Sequence, residues 1–488
     1  MTRKNRNLLI GFFILVFASL AFQYYMDHIR QPTLQITLND GGFTPAEVTI
    51  KQGTKVTFKN TGTVPHWPAS NIHPTHEIYP EFDPMRELAP GESWSFIFDK
   101  AGKWHMHDHL AANSVGTITV TAVQSSDVSK NTPNKLAGNL TLTPLEPEKA
   151  TTIDLKSIDM LSGVNDPTKL DFYLRALGPK VVMKEIIADS QSGSVRDCHA
   201  EAHKVGRVAF ELYGQAVFGV QDAASCHSGF YHGAMEAFLA KSGTDNLAQK
   251  IEAVCQQFPT SFGIFECLHG VGHGVMAFEN YDLPEALKTC DSLSANWDKN
   301  ACYGGVFMEN IVAGQGHGAT TGHDTKWLSK DPHFPCNSVG SDYAKRYQCY
   351  QMQTSWMLSL NSYDFAKVGR ECTKSPADMI DVCFKSLGRD AAGNSLRDPA
   401  KILKICNSLP NSKYFDTCIE GAVNVIIDFW GGELSNQASG LCTILPADHK
   451  KACFSIVASR ITDITNDPQK QTVICNSIDK EYQSLCKK

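Results

Sequence analysis

Two patterns of apolar and polar residues divide this chain. In its first part, apolar and polar residues alternate in short segments at Leu34–Asn39, Val48–Ile50, Lys55–Asn60 and Glu92–Asp99, with Gly and Asn turns between them. Short, evenly spaced strands without any helical pattern predict a β-sandwich over residues 33–122.

A helical spacing replaces this alternation from Asp166 onward, where Leu170 and Leu174 would share one helix face. The intervening residues 123–152 are rich in Ser, Thr, Pro, Asn and Lys, and this composition predicts a linker. We therefore expect a multidomain protein whose second domain, residues 153–488, is all-α.

Cysteine positions repeat throughout the predicted helical domain. Seven cysteine pairs share a separation of 11 to 13 residues: Cys255/Cys267, Cys290/Cys302, Cys336/Cys349, Cys372/Cys383, Cys406/Cys418, Cys442/Cys453 and Cys475/Cys486. Their first members recur every 33 to 46 residues, an interval typical of helical hairpins that stack into a solenoid. We predict that each pair forms a disulfide joining the two helices of one hairpin near their turn. The remaining Cys198 and Cys226 are paired by elimination.

The N-terminus and the charge bear on location and partners. A basic start precedes the apolar run Leu8–Phe22, which has the form of a secretory signal or a signal anchor. We favour a single-pass membrane anchor over residues 1–30, with the bulk of the chain outside the cytoplasm, whereas cleavage near Ser19–Ala21 would release the protein. An even count of 16 cysteines agrees with export to an oxidising compartment. The net charge of −6, without long runs of like charge, gives no indication of a nucleic-acid partner.

A histidine-rich segment, Gly102–His109, suggests metal chemistry in the first domain. His105, His107 and His109 stand at i, i+2 and i+4 of a predicted strand, so that all three side chains would point to one face. Imidazole is a common ligand for Cu, Zn, Ni and Fe, which favours a metal site. The alternative is a solvated polar face on an edge strand.

Four segments of this domain resemble cupredoxins. They are Gly41–Asn60, an early His66, Phe98–Trp104 and Gly116–Val120, and the resemblance covers residues 33–122. It includes cupredoxin-like domains of bacterial exported proteins, among them those attached to periplasmic iron-uptake proteins. The resemblance implies a Greek-key β-sandwich and makes copper the expected cofactor.

The sequence departs from the cupredoxin pattern at the site itself. Asp108 stands where the family carries a copper-ligating Cys, and no cysteine precedes Cys198, so the ligand inventory excludes a blue copper–thiolate centre. The segment His107–His109 also resembles the His-Cys-His of multicopper oxidases with its Cys replaced. The remaining nitrogen and oxygen ligands suit Cu(II), with Ni(II), Zn(II) or Fe as alternatives.

The family's first histidine ligand carries over to His66, and the loop after it adds two histidines. Loops at one end of a sandwich commonly build binding sites. The predicted metal ligands of this domain, in order of preference, are His66, His107 and His109, followed by Asp108, His73 and His76.

The helical domain carries a second set of histidines. Three segments each place a Cys before two histidines: His199/His203 and His269/His273 at i, i+4, which would chelate a metal from one helix face, and His227/His232 at i, i+5. Glycines crowd these segments, as do Glu236, Glu266 and Glu309. One interpretation is close helix packing with structural histidines; the other is a second metal pocket. The predicted ligands here are His199, His203, His232, His269 and His273.

Three functions fit these features. The first is an exported, membrane-anchored, copper-binding cupredoxin-like protein that handles metal or electrons outside the cytoplasm, with a redox or metal-delivery protein as partner. The second is a metal-dependent oxidoreductase with its active site among the helical histidines. The third is an extracytoplasmic solenoid that acts as a binding scaffold. His-Glu-x-x-His, Gly-x-Ser-x-Gly and Walker motifs are absent, so common hydrolase and nucleotide chemistries have no support.

Overall fold

The computed structural model divides into two compact units, here called the β domain (described residues up to 121) and the helical domain (described residues from 155). It describes residues 32–70, 79, 81–100, 102–121, 155, 158–192, 196–220, 225–256, 258–315, 325–430 and 436–486. The predicted anchor and linker, together with His73 and His76, lie outside these residues. Within them, no helix combines the length and apolar character needed to span a bilayer.

The β domain consists of two four-stranded sheets, with strand orders β2-β1-β4-β6 and β3-β8-β7-β5. The strands are β1 (Thr33–Asn39), β2 (Gly42–Thr44), β3 (Glu47–Lys51), β4 (Thr54–Asn60), β5 (Pro68–Ser70), β6 (Ser93–Phe98), β7 (Gly102–Asp108) and β8 (Ala111–Thr121). β1 and β4 pair in parallel, as do β3 and β8, whereas the other pairs are antiparallel. The predicted β-sandwich is thereby confirmed.

Apolar and polar residues alternate along the strands, and the apolar side chains form the core of this domain. Val56 and Phe58 of β4 are fully buried, and Phe58 stacks on Phe82 with ring centroids 5.2 Å apart. Burying an aromatic side chain of this size stabilises the fold by about 1.5–3 kcal/mol. On the second sheet, Trp104 lies beside the buried Tyr79, 4.8 Å between ring centroids. The period of two therefore assigns Trp104 to the core face of β7.

The predicted histidine strand is shorter than expected. β7 ends at Asp108, the register with β8 shifts between His107 and Asp108, and His109 lies beyond the strand. The strand therefore includes His105 and His107 but not His109, whose position on the same face stays a prediction. The shift arises because β7 and β8 meet at a tight connection, where Asp108 pairs with Ala111.

The helical domain has short helices of eight or nine residues that follow most of its long helices. Its helices are α1 (Met160–Gly163), α2 (Pro167–Gln191), α3 (His199–Tyr213), α4 (Gly229–Ser242), α5 (Leu247–Cys255), α6 (Ser261–Phe278), α7 (Leu283–Cys290), α8 (Asn296–Gly314), α9 (Tyr343–Leu360), α10 (Phe365–Cys372), α11 (Ile380–Asn394), α12 (Pro399–Asn407), α13 (Phe415–Trp430), α14 (Asn436–Thr443), α15 (Ala447–Ile464) and α16 (Pro468–Asn476). The predicted all-α repeat is confirmed.

One combination of an N-terminal cap and a disulfide recurs in these hairpins. In α12, Asp398 caps the helix by accepting hydrogen bonds from the backbone N–H groups of Ala400 and Lys401, and Cys406 closes the last turn. Cys406 then bonds to Cys418 near the start of α13. All eight predicted disulfides are present, and none of the sixteen cysteines is free.

Glycines allow the long helices to approach closely. A Cβ atom added at Gly233 of α4 would lie 2.0 Å from the carbonyl oxygen of His203, and one at Gly305 of α8 would lie 1.9 Å from that of His269. Side chains cannot occupy these points, so the backbones of neighbouring helices are in contact there. Close helix packing therefore accounts for these glycines, and it also brings the histidine-bearing helices together.

The array of hairpins curves until its later helices contact its earlier ones. The backbone N–H of His227, just before α4, donates a 3.1 Å hydrogen bond to the carbonyl of Phe429 at the end of α13. Ser261 of α6 likewise donates to Asp463 of α15 at 3.3 Å. The histidine-bearing helices consequently line the inside of this curve.

Candidate metal centre

His66, the early histidine of the β domain, forms a hydrogen bond with Asp108, the residue that the resemblance aligns with the family's cysteine. His66 is fixed by two backbone hydrogen bonds with Leu88, and its Nδ1–H donates a 2.6 Å hydrogen bond to Oδ2 of Asp108. The other oxygen of Asp108 accepts the backbone N–H groups of Trp67 at 2.8 Å and Leu110 at 3.2 Å. Both His66 and Asp108 are buried.

This arrangement does not fit the copper centre that a cupredoxin fold implies. His66 and Asp108 are paired with each other by this hydrogen bond. The rings of His107 and His109 are 6.2 Å apart, and that of His109 packs on Trp67 at 4.5 Å. In the described part of the β domain, no three His or carboxylate donors lie within 4.8 Å of one another. Metal binding by these residues stays a prediction.

The helical domain brings six histidines into one continuous cluster, here called the histidine cluster. Its members are His199, His203, His227, His232, His269 and His273. Adjacent rings have centroids 4.6 to 5.7 Å apart. They come from α3, α4, α6 and the loop before α4. The structure therefore unites all five helical histidines that the sequence predicted as ligands.

Four rings of the cluster each have one nitrogen facing an oxygen. Nδ1 of His199 donates to the carbonyl of Cys226 at 2.9 Å, and Nδ1 of His203 donates to Glu236 at 2.8 Å. Nδ1 of His273 donates to Glu309 at 2.9 Å. Nε2 of His232 lies 3.2 Å from Oε2 of Glu266, without the geometry of a hydrogen bond. Metal-ligating histidines characteristically hold their second nitrogen as His199, His203 and His273 do, which fixes the tautomer and the ring orientation.

The positions of the glutamates that face these histidines follow the helical repeat. Glu236 comes 33 residues after His203, Glu266 comes 34 after His232, and Glu309 comes 36 after His273. Each offset equals about one repeat, so each histidine meets a glutamate on the next long helix. The sequence showed these glutamates near the histidines, and their common offset is the signal that could have identified the pairs.

Two further residues that sequence reasoning missed hold the carboxylates. Arg207 donates to the second oxygen of Glu236 at 2.5 Å, and the hydroxyl of Tyr281 donates to Glu309 at 2.9 Å. Although burial by itself raises the pKa of Glu236, the charge of Arg207 beside it holds that pKa well below its usual range. Glu236 is therefore an anion at neutral pH.

Burial favours the neutral form of several imidazoles of the cluster. Desolvation lowers the pKa of His203 to about 4, and it lowers the pKa of His232 and His269 well below the usual value, with neighbouring histidines adding to the effect for these two. A neutral imidazole has a lone pair on one nitrogen, which is the form that binds metal ions.

In the cluster, the lone pairs of two ring nitrogens point at each other. Nε2 of His199 and Nε2 of His203 are 3.2 Å apart, and the proton of each ring is on Nδ1 because Nδ1 faces an oxygen acceptor. A cation between the two lone pairs would remove their repulsion. At metal–nitrogen bonds of about 2.05 Å, this separation corresponds to an angle of about 100° at the ion. His232 adds a third donor atom within 4.8 Å.

Two cavities reach the histidine cluster from the inside of the curved array. One, of about 340 Å³, is lined by His199, His227, Met308, Arg389 and Arg397 among others. The other, of about 480 Å³, is lined by His227, Glu266, His269, Trp297 and Arg460 among others. Small molecules can therefore approach the cluster from two sides of His227.

Comparison with known proteins identifies the class of the first domain. Residues 8–120 match the family model of the cupredoxin-like domain, so the β domain is cupredoxin-like. The match ends before the helical domain begins.

Similar proteins match the same part of the chain. The chain is 35% identical over 94 residues to the chloroplastic plastocyanin of Silene latifolia subsp. alba, covering 17% of this chain and 55% of that protein. It thus spans about half the length of this relative. A purple cupredoxin from Nitrosopumilus maritimus is similar in structure, with 24% identity over 18% of this chain and 99% of that one, at a TM-score of 0.16. The oxidised plastocyanin of Dryopteris crassirhizoma has 21% identity over the same shares, at a TM-score of 0.15.

Proposed function

We propose that this chain is a transition-metal-binding protein, with copper as the favoured metal, and that the histidine cluster of the helical domain is its metal site. The observation that carries the proposal is the pair of Nε2 atoms of His199 and His203, 3.2 Å apart with both Nδ1 atoms held by oxygens. An apolar or purely structural interior would not bury two lone pairs against each other.

Copper is favoured over other metals by two features. Imidazole ligands suit Cu as well as Zn and Ni, and the cupredoxin-like domain in the same chain suggests copper-related binding or electron transfer. The basic and apolar N-terminus and the eight disulfides support export, membrane anchoring and metal or electron handling outside the cytoplasm.

Elemental analysis of the metal-loaded full chain tests the proposal. Protein stripped with a chelator, loaded with Cu(II) and desalted should retain copper, and its EPR signal should show nitrogen hyperfine coupling from imidazole ligands. His203→Ala should lower the copper content, whereas His449→Ala, outside the cluster and paired with Asp416, should not. Disulfide mapping would establish that both variants are folded.

Two results would overturn it. One is a full chain that retains no metal after loading. The other is copper that stays in His203→Ala but is lost from the double variant His66→Ala/His109→Ala, since that would place the metal in the β domain. Loss of copper from the double variant can be measured without changing any residue of the helical domain.

A second candidate, a metal-dependent oxidoreductase, is favoured by the cavities. A purely structural metal has a closed coordination shell, whereas a cavity at His199 and His227 would let an external ligand reach the ion. Azide added to the copper-loaded chain should then change the EPR and visible spectra. Spectra unaffected by azide would limit the site to metal storage or transfer.

A further inference from the structure

We infer that the histidine cluster is a two-metal site in which His203 lies between the two ions. This inference rests on the proposed function and extends it from one ion to two. It comes from the division of the donor atoms into two sets that share His203.

The two donor sets are distinct. Set A consists of His199, His203 and His232, and set B consists of His203, Glu236 and His273. Within each set the donor atoms all lie within 4.8 Å of one another. The two sets do not merge into one group at that distance.

A single ion cannot serve both sets. Bonds of about 2.0–2.2 Å place all ligands of one ion within about 4.4 Å of one another. An ion in set A therefore leaves set B empty, and Nε2 of His273 is then buried with no hydrogen-bond partner among the described residues. An ion in set B leaves both ring nitrogens of His232 buried, and neither has a hydrogen-bond partner of good geometry in the described part of the chain. A buried polar atom without a partner is unfavourable, so occupancy of both positions is favoured.

His203 presents a different nitrogen to each set. Its Nε2 lies 3.2 Å from His199 of set A, and its Nδ1 lies 2.8 Å from Glu236 of set B. An ion in set B would replace the proton that Nδ1 shares with Glu236, and that proton would leave to solvent. Glu236 would then change from hydrogen-bond acceptor to ligand.

The charges near set B suit a cation. Glu236 and Glu309 are both buried there, and Arg207 is the positive group bound to Glu236. Glu309 also holds Nδ1 of His273, which directs Nε2 away from that carboxylate. A divalent ion in set B would therefore offset negative charge that is otherwise desolvated.

Metal stoichiometry of the full chain tests the inference. Titration with Cu(II), followed by elemental analysis, should give two ions per chain in the wild type and in His449→Ala. One ion should remain in His273→Ala, which removes only set B, and none in His203→Ala. Two Cu(II) ions joined through one imidazole should couple magnetically, so the EPR intensity should fall below the copper content.

The outcomes separate this inference from the proposed function. One ion per wild-type chain would overturn the two-metal site but retain the metal-binding function, and no ion would overturn both. Two ions of which one is lost in His66→Ala/His109→Ala would place the second ion in the β domain and also overturn it. The wild-type measurement needs no variant to fold.

Discussion

The Nδ1–H of His66 donates a 2.6 Å hydrogen bond to Asp108, the residue that the sequence resemblance aligns with the copper-binding cysteine of cupredoxins. Asp108 also accepts the backbone N–H of Trp67. The β domain thus combines a cupredoxin-like fold with an internal hydrogen bond between these two side chains. This relationship leads to the first prediction.

Asp108→Cys should create a copper–thiolate centre in the β domain. The thiolate would lie next to His66, and after Cu(II) is added the variant should show an intense visible charge-transfer band that the wild type lacks. The double variant Asp108→Cys/His66→Ala is the control and should lose the band. A colourless copper-loaded Asp108→Cys with its disulfides correctly paired would show that the framework around this site no longer supports such a centre.

Two glycine-to-alanine substitutions should change the stability of the helical domain in opposite directions. Gly305→Ala would place a Cβ 1.9 Å from the carbonyl oxygen of His269, so α6 and α8 must separate, at a cost of about 1–3 kcal/mol or more. Gly393→Ala in α11 meets nothing within 4 Å and should stabilise the helix by about 0.5–1 kcal/mol. Chemical denaturation followed by circular dichroism measures both. Equal effects of the two changes would contradict the packing account.

Acid should destabilise the metal-free helical domain. The pKa of His203 is about 4, and burial also lowers the pKa of His199, His232 and His269, so the folded state keeps these rings neutral while the unfolded chain protonates them near pH 6.5. Stability is therefore fully present above pH 6.5 and is lost as pH falls from there toward 4. Each histidine contributes up to about 1.4 kcal/mol per pH unit in that window.

Buried carboxyl groups oppose this pH dependence. Burial raises the pKa of Glu266 and Asp428, so the folded state also holds protons there that the unfolded chain releases at lower pH, and these groups reduce the slope. Denaturation at several pH values between 7 and 4.5 measures the net slope, and His232→Gln should make it shallower. A flat profile would contradict the buried, neutral state of the cluster.

Disulfides should stabilise the array locally. Removing the bridge between α7 and α8 with Cys290→Ala/Cys302→Ala opens a loop of 12 residues, which in the chain-entropy model costs about 3 kcal/mol of unfolding free energy. The same change at Cys475 and Cys486 affects only the last turn of the array and should leave copper binding intact. Loss of metal from the second variant, but not from the first, would contradict this view of the repeat.

The sequence predicted most of the secondary structure because that information is local. Alternation with a period of two located β1, β4 and β6 to within about two residues. The cysteine spacing located the bridge between α12 and α13, since a short-range disulfide involves only neighbouring segments. The cupredoxin-like domain and the absence of its thiolate ligand could likewise be predicted without coordinates. β5 was missed because Pro68–Ser70 is too short to show a period.

Only the tertiary structure decided which polar side chains meet. The bond between His66 and Asp108 joins residues 42 apart, and its length depends on how a loop returns to the end of β7. The histidine cluster depends on the separation of α3, α4, α6 and α8, which is set by the glycine contacts between their backbones. Spacing along one helix could pair His199 with His203, but it could not supply Glu236 from the next helix. The physical reason is that periodicity fixes the face a side chain occupies, whereas the distance between faces is fixed only when the helices pack.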